Sequence, residues 1–185
     1  MVPLTTLWLP ILLSAVVVFV ASSIVHMLLT YHRTDYRQLP EEDKVLAFLR
    51  PLKLTRGLYV FPYCLPKDMK SPASIEKYKQ GPVGMLTIMP SGPPAMPKFL
   101  IQWFVFCLLV GFFVAYLTGH TVLAGANYLK VFRVAGTAAF LAYGLGNLSN
   151  GIWKGQTWSA TIKEVIDGLV YGLLTAGVFG WLWPR

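Results

Sequence analysis

The sequence predicts an all-α membrane protein: a four-transmembrane-helix bundle with a small α+β cytoplasmic loop subdomain between its first and second helices. Three observations carry this. The chain is 55% hydrophobic and 13% charged over 185 residues, against roughly 25% charged residues in soluble domains. Its apolar runs reach the roughly 20 residues that a bilayer requires. Most of its sixteen Lys and Arg and eight Asp and Glu, which together give +8, fall between His32 and Lys98. A positive block beside apolar spans reads as a cytoplasmic loop facing anionic lipid. No basic run is interleaved with aromatics as a nucleic-acid platform would be, so nucleic acid is not an expected partner. The expected partners are the lipid bilayer and other membrane subunits or further copies of the chain.

The first span occupies Leu4 to Tyr31, within a segment 1–31, with Trp8 and Tyr31 as interfacial anchors. No Lys or Arg precedes the run and no small-x-small cleavage site follows, so a span is expected rather than a signal peptide. Ala15, Ser22 and His26 share one helical face, because seven and eleven residues approximate two and three turns. His26 is then expected near the interface, hydrogen-bonded to Ser22 or a neighbouring helix.

Segment 32–98 is the loop subdomain. Pro40, Glu41, Glu42 and Asp43 open a helix with acids at the positive end of its dipole, and Pro51 ends it. Gly57–Phe61 and Val83–Met89 read as two strands that pair, and Ser71-Pro72 caps a helix that stops at Gly81-Pro82. The Pro90-Ser91-Gly92-Pro93-Pro94 run forms a stiff connector back to the bilayer. Of the two cysteines, Cys64 lies in this block and Cys107 in an apolar run, so no disulfide is expected, and no CxxC pair points to zinc.

Segment 99–185 holds three further spans, at about 99–119, 128–152 and 161–183. Small residues mark the faces where helices approach closely: Gly111 and Ala115 on the second span, Ala135 and Ala139 with Ala142 and Gly146 on the third, and Gly168, Gly172, Ala176 and Gly180 on the fourth. Lys130 and Arg133 in the first turns of the third span snorkel to the headgroups. Counting Lys and Arg near the spans places both termini outside and the large loop inside.

One constellation stands out. Topology brings His26, Asn147, Asn150, Lys163, Glu164 and Asp167 to one membrane face from three helices. Lys163 precedes Asp167 at the i, i+4 spacing and would offset the cost of the buried carboxylate. The set reads either as a polar cap that orients the helices or as a site for protons, a small polar ligand or a metal. Metal ligation wants a third and fourth donor, and His32 reaches only if the first helix unwinds, while His120 lies across the membrane. No metal site, cofactor or catalytic residue is therefore assigned; there is no nucleophile–base–orienter set, phosphate loop or HExxH.

The His26-Met27 end of the first helix, Asp35-Tyr36, Leu39 to Lys44, and the closing Asp167-Gly168-Leu169 to Trp181-Leu182-Trp183-Pro184 resemble a family of small four-span bacterial membrane proteins with no activity attached. That resemblance implies a bacterial inner-membrane location and a four-helix layout, and carries over no functional residues. The leading functional expectation is a non-catalytic accessory or scaffold subunit of a membrane complex. The alternatives are a small oligomeric transporter or ligand-binding membrane protein using the His26 and Asp167 face, and a haem- or metal-binding redox subunit.

Overall fold

A computed structural model describes every residue from Met1 to Arg185. In chain order the elements are α1 (Trp8–Ser23), α2 (Glu42–Leu49), β1 (Gly57–Phe61), α3 (Pro72–Gln80), β2 (Gly84–Ile88), α4 (Met96–Thr121), α5 (Tyr128–Tyr143), α6 (Leu148–Trp153) and α7 (Trp158–Trp181). The chain divides into two units, Met1–Tyr36 with Ala95–Arg185, and Arg37–Pro94.

The first unit is helical. Two of its helical stretches, Leu4–Leu28 and Met96–Thr121, are long and apolar enough to cross a membrane. Only 22% and 28% of their most apolar windows are buried within the chain, so their apolar surface is not consumed by an internal core. α1 packs on α4 and α7, and α5 packs on α7 and α4, which closes a ring of four helices. Leu7, Val18, Val114, Val131 and Phe179 fill its centre. Both chain ends meet the α4–α5 turn: Val2 N–H donates to Gly119 O at 2.8 Å, Gly125 N–H to Pro184 O at 2.9 Å and Trp183 Nε1–H to Leu123 O at 2.9 Å. The opposite end of the ring therefore gathers the exit of α1, the entry of α4, α6 and the entry of α7.

Small residues do the close packing. A Cβ on Gly111 would stand 3.2 Å from Ile11 O of α1. On α7 a Cβ at Gly172 would stand 3.1 Å from Phe140 N, and one at Gly168 only 2.3 Å from Gly144 Cα. Ala115, Ala135, Ala139 and Ala176 are fully buried. These stripes thus hold α1 to α4 and α5 to α7 within one chain.

The third span does not form the single helix expected over 128–152. α5 stops at Tyr143, Leu145–Asn147 makes a 3-10 turn, and α6 follows. The backbone of Gly144 lies directly against α7 at Gly168, and two residues there compete with helix continuation. Asn147 Nδ2 donates to Tyr143 O at 2.9 Å, and Ser149 Oγ to Gly146 O at 2.8 Å. Side chains replace the lost backbone donors, as an interrupted helix demands.

The second unit matches its local signals closely. β1 and β2 pair antiparallel, with Tyr59 opposite Leu86. Ser71 Oγ caps α3 by accepting from Ser74 N–H at 3.2 Å, and Gly81 ends it at φ +57°. Glu42 and Asp43 occupy the first turn of α2. The acids there meet unpaired backbone N–H groups, the favourable end of the dipole.

Candidate functional site

The exit of α1 builds the site. After Ser23 the helix widens into one π turn, Ile24–Leu28, in which Leu29 N–H reaches Ile24 O at 3.1 Å. Leu29 is then extended (φ −78°, ψ 143°) and Tyr31–Thr34 forms a 3-10 turn. The first helix thus ends before Tyr31, and the unwinding that His32 needed to reach the polar face takes place. Single π turns of this kind re-aim the chain by inserting a residue.

Four side chains from this exit, Tyr31, His32, Thr34 and Asp35, meet α7. Asp167, 5% exposed, accepts a hydrogen bond from the Tyr31 hydroxyl on Oδ1, and its Oδ2 lies 2.7 Å from His32 Nε2. His32 Nδ1 faces Asp35 Oδ2 at 2.6 Å. Lys163 Nζ donates to Asp35 Oδ1 at 2.6 Å, to the Tyr31 carbonyl at 2.6 Å and to Thr34 Oγ1 at 2.9 Å. Lys163 therefore serves Asp35 and not Asp167, contrary to the expected i, i+4 pairing, because the unwound segment presents a carboxylate and a carbonyl beside it. Burial raises the Asp35 carboxyl, but the hydrogen bonds and charges of Lys163 and His32 outweigh that and hold it below the usual carboxylate range.

His32 is bracketed by carboxylates at both ring nitrogens. A neutral imidazole has one N–H and can donate to only one of them. The second contact requires another proton, on the ring or on the facing carboxyl, or a cation between the two. His26 stacks on His32 with ring centroids 4.5 Å apart and 30° between planes. Ser22 is not its partner: Ser22 Oγ accepts from Trp103 Nε1–H at 2.8 Å and donates to Phe19 O at 2.9 Å. That leaves His26 held by ring contact alone.

Beside this network lies a cavity of about 380 Å³ lined by His26, Asn147, Asn150, Glu164 and Asp167 on its polar side and by Trp103, Phe106, Tyr143 and Tyr171 on its aromatic side. Asn147 comes to it from the 3-10 turn of the interruption and Asn150 from α6. Trp103, Phe106, Tyr143 and Tyr171 pack edge to face or tilted, 5.4 to 6.4 Å between centroids. Glu164 Oε1 accepts from Gln156 Nε2 at 2.7 Å, whereas Glu164 Oε2 and the Tyr171 hydroxyl are buried without partners. A wider concavity of about 580 Å³ beside Asn127, Lys130 and Arg133 has no convergent acceptors.

Of the six residues expected at this face, five line one cavity and Lys163 supports its rim. The sequence reading missed Tyr31 and Asp35 as members and admitted His32 only if the first helix unwound. Their signal was the Tyr-His-x-x-Asp spacing just beyond the apolar run, which meets α7 only once the helix has ended. Compared with known protein families, curated proteins and solved structures, the chain matches none.

Proposed function

We infer that this chain is a multi-pass membrane protein that binds or passes a small cation at the cavity between His26 and Asp167. The carrying observation is that two carboxylates, the buried Asp167 and the half-buried Glu164, border one cavity, and one buried Glu164 oxygen there has no partner. Buried carboxyl groups are costly unless paired, so such a site favours a cation. The aromatic wall adds ring faces suited to one.

On this reading the chain crosses the membrane four times. α7 carries Ile162, Ile166, Leu169 and Leu173 on one outward apolar stripe, all at least 43% exposed. Its 24 residues span about 36 Å at 1.5 Å per residue, more than a hydrocarbon core of about 30 Å. On this reading the cavity opens at the cytoplasmic end, both termini lie outside, and the location is a bacterial inner membrane, in keeping with the four-span resemblance. The small-residue faces that motivated a scaffold role are occupied within the chain. An accessory-subunit role retains one support, the uncovered α4 face of Ile101, Val105, Leu109 and Phe113, and stoichiometric co-purification of a membrane partner would test it.

The cation reading is tested by melting the detergent-purified chain against sodium, potassium, magnesium, zinc, choline and spermidine salts. At least one should raise the melting temperature of the wild type and fail to do so for Asp167→Asn. Loss of folded Asp167→Asn protein, or equal response of both proteins to every salt, would instead make the face a structural cap.

A further inference from the structure

We propose that His26, His32 and Asp167 are the ligands of a divalent transition-metal ion. This rests on the cation reading above and names the cation. The candidate ligand atoms of the three residues all lie within 4.8 Å of one another. Donors in a tetrahedral site with bonds of about 2.1 Å stand about 3.4 Å apart. A separation at that limit closes by about 1.4 Å on binding, and the 2.7 Å His32–Asp167 contact opens by about 0.7 Å; the closing motion is open to His26, whose ring is exposed and fixed by no hydrogen bond.

The surroundings of the other two ligands carry the argument further. A metal-binding histidine commonly has its second ring nitrogen held by a carboxylate, which sets the tautomer and aims the free nitrogen. His32 has that arrangement: Asp35 holds Nδ1, Lys163 holds Asp35, and Nε2 points at Asp167. Asp167 is held in the same manner, with Tyr31 on Oδ1 and Oδ2 directed at His32. These two prospective ligands thus have the spare atom tied down and the donor atom turned inward.

A cation between His32 Nε2 and Asp167 Oδ2 also resolves the excess of acceptors around the ring, because a metal takes the place of the second proton. Glu164 lies outside that 4.8 Å group but lines the same cavity with a free buried oxygen, an acceptor for a metal-bound water. Two imidazoles and a carboxylate favour zinc, iron(II) or cobalt(II) over magnesium or calcium, which prefer all-oxygen sites.

The test uses the full chain in detergent, stripped with EDTA and titrated with cobalt(II) chloride. One cobalt per chain should bind, with visible ligand-field bands that zinc sulfate abolishes by displacement. His26→Ala, at an exposed position that the fold does not need, and His32→Ala should each remove the bands. Asp35→Asn should keep them but weaken binding ten- to a hundredfold. Wild-type protein without bands, or histidine variants that bind as tightly as wild type, would overturn the proposal. If choline or spermidine still stabilises the EDTA-treated wild type and not Asp167→Asn, only the metal assignment falls; if no salt does, the cation reading falls with it.

Discussion

At the scale of single residues, Gly168 is the position the packing constrains most tightly. A side chain there meets backbone, Gly144 Cα at 2.3 Å, and backbone cannot turn aside as a flexible side chain can. Gly168→Ala should destabilise the detergent-solubilised chain by about 1–3 kcal/mol in a denaturant melt. Gly146, inside the 3-10 turn of the interruption, meets nothing within 4 Å. Gly146→Ala should be neutral or stabilise by about 0.5 kcal/mol, by restricting the unfolded chain. Equal losses at the two positions would mean that α5 and α7 do not approach in this way. The Lys163–Asp35 pair can be weighed similarly, since its side chains are 18% and 12% exposed. A double-mutant cycle of Lys163→Met and Asp35→Asn should yield a coupling of about 1–3 kcal/mol, and a value near zero would return the pair to the class of surface ion pairs.

At the scale of elements, the interruption between α5 and α6 is held by Asn147 and by contact with α7. Asn147→Ala removes the donor that satisfies Tyr143 O and should cost about 1–3 kcal/mol if that carbonyl is left dry. Hydrogen exchange should then rise across Gly144–Asn150 before it rises in α7; unchanged exchange there would show that packing alone sets the interruption. The hairpin and α3 behave differently. Their turn residues, cap and strand alternation act within a few neighbours, so Ser71, Pro72, Gly81 and the two strands were legible from the sequence with shifts of one residue at β2. The third span was not, because helix and break draw on the same apolar, small-residue composition, and the deciding neighbour, Gly168, lies 24 positions beyond Gly144.

At the scale of the whole molecule, the four-crossing reading sets which side of the membrane each turn faces, and cysteine labelling reads that directly. Two crossings would leave the α6–α7 turn on the side of the termini, whereas four bring it to the side of the large loop. In a Cys64→Ser background, Ser159→Cys places an exposed thiol on the first turn of α7. A membrane-impermeant maleimide should label it in inverted vesicles and not in intact cells. Native Cys64 should follow the same pattern, while buried Cys107 should stay unlabelled. Labelling of Ser159→Cys from outside, with Cys64 reached only from inside, would reduce the crossings to α1 and α4.

The sequence by itself determined the apolar helices, the small-residue stripes, the capped helix and hairpin of the loop, and the face to which His26, Glu164 and Asp167 belong. Each of these is set by periodicity or by neighbours within a turn or two, where side-chain chemistry acts on its own backbone. Only the tertiary structure decided which partners those polar groups take. Lys163 turned from Asp167 to Asp35, and Ser22 from His26 to Trp103, because hydrogen bonds go to whichever acceptor or donor another element brings within about 3 Å. His32 joined Asp167 because α1 stops short of Tyr31, and that stop has meaning only against α7, 135 residues away in the chain.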